Sequence, residues 1–126
     1  MTDDESDIRA TLVSWYTAMA AHDLDAVGAA LTDTFLLVEH DELVNRVALL
    51  EMLSGANYKN LVAILSDFRV SVSGDIAWST HRNRESYTPS DGECQEIDFL
   101  ETVVLVRRSG RWLIDRYHAT RLAPDS

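Results

Sequence analysis

The chain has 126 residues, 46% of them hydrophobic, and its 11 basic against 21 acidic side chains leave a net charge of −10. That length fits one domain, residues 1–126, with a single core. The charge removes the basic face that nucleic-acid binding needs and opposes docking on an anionic membrane, so neither partner is expected.

Asp3, Asp4, Glu5 and Asp7 crowd the start, where negative charge suits a helix N-terminus. The first helix is expected from about Asp3 to Ala21. Thr2 and Glu5 have capping-box spacing, and Ile8, Leu12, Trp15 and Met19 step along one face. A second helix follows Asp23, a good N-cap, and buries Leu24, Val27 and Leu31. Gly28 makes it short or tightly packed. Phe35 to Val38 and Leu43-Val44 predict a small hairpin around the polar turn 39–42, although that turn lacks glycine. Asn45 can cap a third helix running through Leu53 and stopped by Gly55.

From Asn60 onward the period drops from 3.6 to 2. Phe68, Val70 and Val72 alternate with polar residues, and Ile76 to Tyr87, Glu96 to Arg108 and Trp112 to Leu122 read as further strands. Gly74-Asp75, Pro89 to Gly92 and Ser109-Gly110 supply the turns. Helices followed by consecutive strands predict an α+β fold with the helices on one face of an antiparallel meander.

The single cysteine, Cys94, leaves no internal disulfide, no apolar run approaches the ~18 residues of a membrane helix, and the acidic start is unlike a signal peptide; the reading is cytoplasmic. His22, His40, His81 and His118 lack metal-ligand spacing, and no phosphate or dinucleotide glycine motif occurs, so neither metal nor cofactor is expected.

Residues 101–120, with Thr102, Arg107-Arg108, Gly110, Trp112 and His118, resemble the last hairpin of SnoaL-like proteins and of the calcium/calmodulin-dependent kinase II association domain. The aromatic pair Trp15-Tyr16, His22 to Asp25, Leu31 to Asp33 with Phe35, and the turn 74–77 resemble other parts of the nuclear-transport-factor-2-like superfamily. The resemblance implies a cystatin-like cone: three N-terminal helices packed on a curved antiparallel sheet, with a pocket between. It also implies that Phe99, Glu101, Val103 and Leu105, then Leu113, Asp115, Tyr117 and Ala119, face the pocket, since alternation gives two parities without choosing one. The arginines of the kinase pocket are replaced here by Asn83, Val103 and Ala119.

Glu39 matches the general base of ketosteroid isomerase, where an apolar cavity would raise its pKa; the alternative is a solvated turn residue. The tyrosine that isomerase needs matches Trp15. Tyr16 stands about 100° away on the helix and is not expected to replace it, which weighs against an isomerase proper. His81 and Glu85 share a parity with Asn83 and can reach the cavity. Glu39, His81 and Tyr117 are therefore the catalytic candidates. Trp15, Tyr16, Phe99, Glu101, Val103 and Asp115 are the ligand-binding ones. Trp78, Trp112, Ile114 and Arg116 are expected on the opposite sheet face, at a homodimer contact. The function implied is binding of a small apolar or polyketide-like ligand, with cofactor-free isomerisation, cyclisation or dehydration as the chemistry. The alternative is a non-catalytic ligand-binding or oligomerisation module.

Overall fold

The computed structural model describes residues 3–123. Helix α1 (Asp3–Ala20) buries Ile8, Leu12, Trp15, Tyr16 and Met19. The capping role expected of Thr2 lies outside the described residues. Helix α2 (Leu24–Ala29) is capped by the Asp23 side chain, which accepts from the Ala26 amide. It is short and also tightly packed: a Cβ on Gly28 would stand 3.0 Å from Arg46 and 3.2 Å from Leu50, and Arg46 donates to the Gly28 carbonyl.

Strands β1 (Leu31–Glu39) and β2 (Glu42–Asn45) form the predicted hairpin, β1 starting earlier than the apolar run implied. Glu39 pairs with Glu42, leaving a two-residue loop that favours positive φ; His40 adopts it at 55° in place of glycine. Asn45 caps helix α3 (Arg46–Ser54) by accepting from the Ala48 amide, and Gly55 closes it. Strands β3 (Lys59–Ser73), β4 (Ile76–Thr88), β5 (Gln95–Arg108) and β6 (Arg111–Arg121) are the expected meander.

The fold is α+β, with one open six-stranded sheet in the order β2-β1-β6-β5-β4-β3. It is mixed rather than purely antiparallel, because β1 runs parallel to β6 and so joins the hairpin to the meander. The core lies between the helices and the sheet face bearing Phe35, Ala77, Val103, Leu105, Ile114 and Tyr117. Among the described residues no helix is long and apolar enough to cross a membrane.

One irregularity changes which side chains face that core. Leu105 pairs with Ile114, but Val104 pairs with Arg116, so β6 carries one extra residue at Asp115. A bulge of this kind reverses side-chain parity. Tyr117 and Ala119 point inward as expected. Upstream of the bulge, however, Trp112 and Ile114 point inward in place of Leu113 and Asp115, and both are buried in the core. Trp112 and Ile114 therefore do not belong to the outer sheet face, which keeps Trp78.

Candidate functional site

Two strands carry polar side chains on the face that should be apolar. On β4 the inward series is Ala77, Ser79, His81, Asn83 and Glu85. On β5 it is Phe99, Glu101, Val103 and Leu105. Cross-strand pairing sets His81 opposite Glu101 and Asn83 opposite Phe99. Buried polar groups must find partners, and here they find one another.

Glu101 is the hub. Tyr117 donates to its Oε1 at 2.5 Å and Tyr16 to its Oε2 at 3.2 Å, while the two hydroxyls lie 2.8 Å apart. His81 Nε2 stands 3.2 Å from Oε1, and its Nδ1 meets the Ser79 hydroxyl at 3.1 Å. Asn83 Nδ2 donates to Glu101 at 3.3 Å and to Glu85 at 2.8 Å. Two carboxyl groups compete for the donor end of that amide, so Asn83 Oδ1 is left as a buried oxygen without a partner among the described residues.

Beside this network is a cavity of about 120 Å³. Its polar wall is Tyr16, Tyr117, Glu39, Glu85 and Glu101; its apolar wall includes Trp15, Met19, Leu37, Leu49 and Phe99. Trp15 is fixed by its indole N–H donating to the Val27 carbonyl, and its ring centroid lies 5.1 Å from that of Tyr117. A larger groove of about 480 Å³ runs outside α1, toward Arg111 and Trp112, but it gathers no comparable set of titratable groups.

The surroundings set the protonation of the wall. Burial, then the neighbouring Glu101, pushes the Tyr16 phenol well above the ordinary range; burial, then Tyr16 and Glu101, does the same for Tyr117. Both stay protonated at neutral pH. Burial raises Glu39, assisted by Glu101 and Glu42 and opposed by His40 and Arg121. Burial and then Glu101 raise Glu85 from 4.5 to about 7.

The Glu85 shift makes a stability prediction. A carboxyl whose folded pKa exceeds its unfolded value favours the fold when protonated. That contribution is present below about 4.5 and lost as pH rises through about 7. Glu85→Gln, which keeps an oxygen for Asn83, is expected to stabilise the protein by about 1–3 kcal/mol at pH ~8, where solvent screens the partly exposed carboxylate, and hardly at all at pH ~5. Thermal melts at the two pH values check this; the same change in Tm at both would count against it.

Trp15, Tyr16, Glu39, Phe99, Glu101 and Tyr117 meet on the cavity wall. His81 lies behind that wall, touching it through Glu101. Val103 is fully buried in the core and is not part of the wall. Asp115 points elsewhere because it occupies the bulge: it accepts from Thr32 at 2.6 Å and Thr34 at 2.5 Å, tying β1 to β6. Burial acts to raise it, but those hydroxyls and Arg116 outweigh burial and lower its pKa. Tyr16 reaches the cavity although it stands about 100° from Trp15 on the helix. The aromatic wall is wide enough for both Trp15 and Tyr16 to be buried, and the Tyr16 hydroxyl enters the network.

Residues 8–124 match the SnoaL-like domain. The chain belongs to the SnoaL-like family. Solved structures of the nuclear-transport-factor-2-like superfamily share its fold. A ketosteroid isomerase-like protein from Erwinia carotovora atroseptica superposes with a TM-score of 0.78 at 20% identity, covering 98% of this chain and 100% of that one. A candidate dehydratase of the NTF2-like family from Streptomyces avermitilis gives 0.80 at 18% identity, covering 96% and 97%. An NTF2-like protein with a cystatin-like fold from Novosphingobium aromaticivorans gives 0.80 at 15% identity, covering 98% and 85%. No curated protein matches the sequence. At these identities the likeness of this SnoaL-like domain to the solved structures is one of fold, and the fold hosts many chemistries.

Proposed function

We propose that this SnoaL-like protein is a cofactor-free acid–base enzyme that moves a proton on a small carbonyl compound, by isomerisation or dehydration. The observation that carries this reading is the convergence of Glu39 and Glu85 on one cavity with the Tyr16–Tyr117–Glu101 hydrogen-bond network. A carboxyl with a raised pKa is a competent proton acceptor near neutrality, and phenols held protonated are competent donors to a developing oxyanion. Glu39 is the base, and the Tyr16 hydroxyl, held only at 3.2 Å by Glu101 and set 2.8 Å from the Tyr117 hydroxyl, is the donor. Glu101 and His81 position those hydroxyls. Ketosteroid isomerase-like and dehydratase relatives in fold are consistent with this chemistry.

The cavity volume limits the ligand. About 120 Å³ falls below the usual ligand pocket of about 300–1,000 Å³. The substrate proposed is therefore small, or presents only its reacting end, rather than a polyketide enclosed whole. The same volume supports the second reading, a non-catalytic module whose polar network is structural. Deuterium incorporation into small ketones in heavy water, followed by proton NMR, separates the two. Exchange above buffer background supports the enzyme, and none supports the module.

For assembly we propose a homodimer through the outer sheet face. Ile64, Ile76, Trp78 and Leu100 are exposed there on adjacent strands, an apolar surface that a second copy would cover. Light scattering at micromolar concentration is expected to give twice 14.1 kDa, with Trp78→Glu reverting to monomer. A wild-type monomer would end this proposal.

A further inference from the structure

The carboxyl groups on the cavity wall come from three strands: Glu39 from β1, Glu85 from β4 and Glu101 from β5. No lysine, arginine or histidine lines it among the described residues. The remaining wall is largely aromatic, from Trp15, Tyr16, Phe99 and Tyr117. The three carboxyl groups are not equally supplied with donors. Glu101 has four side chains around it. Glu85 receives only Asn83, on one oxygen. Glu39 has no side-chain hydrogen bond to the other described residues. The basic side chains acting on Glu39, from His40 and Arg121, are exposed.

A hole rich in acceptors, free of cations and walled by aromatic faces is the complement of an ammonium group. Its N–H donors would satisfy the open carboxyl oxygens, and its charge would be attracted by the ring faces. A carboxylate ligand would instead face Glu39 and Glu85 with no basic side chain on the wall to pair with, which disfavours it. The net charge of −10 steers in the same direction.

Building on the acid–base reading, we propose that the substrate of this cavity is a small molecule carrying a protonated amine, its ammonium held by Glu85 against the aromatic wall while Glu39 keeps its lone pair for the proton, and that anionic analogues are disfavoured.

A pH signature accompanies this. Glu85 faces Glu101, Glu39, Asn83, Tyr16 and Tyr58; Glu39 faces Glu101, Glu42, His40 and Arg121. A bound ammonium favours the ionised carboxylate, so binding releases a proton. Affinity then rises as pH increases through about 7, where Glu85 ionises.

The test uses the full chain and three probes of matched length, butylamine, n-butanol and butyrate, titrated by NMR at pH ~6 and ~8. Butylamine is expected to saturate at least about tenfold more tightly than butanol, and more tightly at the higher pH, while butyrate gives no saturable shift. Glu85→Gln is expected to remove the amine preference and the pH slope; Glu85→Ala serves the same purpose should the first variant not fold. Equal binding of butanol and butylamine, saturable butyrate, or no binding by any probe would each overturn the proposal. Failure here is separable from failure of the acid–base reading. Ketone exchange without amine preference defeats only the ammonium assignment. Amine preference without any exchange upholds that assignment and defeats the enzyme.

Discussion

Glu101→Ala is expected to destabilise the protein by about 3–5 kcal/mol, the range for removing one partner from a buried charged or polar cluster. Its carboxyl group is 2% exposed and is contacted by Tyr16, Tyr117, His81 and Asn83. Alanine would leave those polar atoms facing a void, combining lost hydrogen bonds with a cavity. For a domain with about 5–15 kcal/mol in total, a fall in Tm of about 10 °C or more follows. The origin can be isolated. Glu101→Leu together with Tyr16→Phe and Tyr117→Phe removes acceptor and hydroxyls at nearly constant volume, and is expected to recover much of the loss. Non-additivity of that kind marks a coupled network. Urea unfolding of the single and triple variants is the measurement. A Glu101→Ala variant within about 1 kcal/mol of wild type would show that the network holds little of the fold.

Glu39→Gln is expected to lower proton exchange on a small ketone by about 10²–10⁴-fold, the usual contribution of a general base. Stability should barely change, because Glu39 ends β1, is half-buried and makes no side-chain hydrogen bond to the other described residues. Glutamine preserves shape and removes the basic lone pair. The pH profile supplies an independent sign. A base raised by burial is inactive while protonated, so the wild-type rate should climb as pH rises through its elevated pKa and then level off. Undiminished exchange in the variant would move the base to Glu85, whose isosteric variant is the control.

The helices were legible because their causes are local: caps at Asp23 and Asn45, an apolar stripe from Ile8 to Met19, and the stop at Gly55. The meander was legible for the same reason, from period-two alternation between turn dipeptides. The parallel joining of β1 to β6 was not. It pairs residues about 80 positions apart, and no local pattern encodes which edge a hairpin will choose. Glu101 did leave a trace, a charged residue in the apolar series Phe99, Val103, Leu105, and so did His81 and Asn83 on β4.

The sequence alone determined the element order, the α+β class and the family resemblance, which rest on short-range periodicity and on residues shared in order; the resemblance, and not the spacing, chose the strand parity that faces the cavity. Tertiary structure alone decided three things. The extra residue at Asp115 reversed half of β6, taking Asp115 from the site and burying Trp112 and Ile114, because side-chain facing depends on pairing register and not on spacing within one strand. The rotation of α1 against the sheet brought the Tyr16 hydroxyl to Tyr117 and Glu101, since a helix of known stripe still turns to fit its partner surface. The convergence of Glu39, Glu85 and Glu101 on one small cavity followed from strand order, which alone sets three distant carboxyl groups within each other's field.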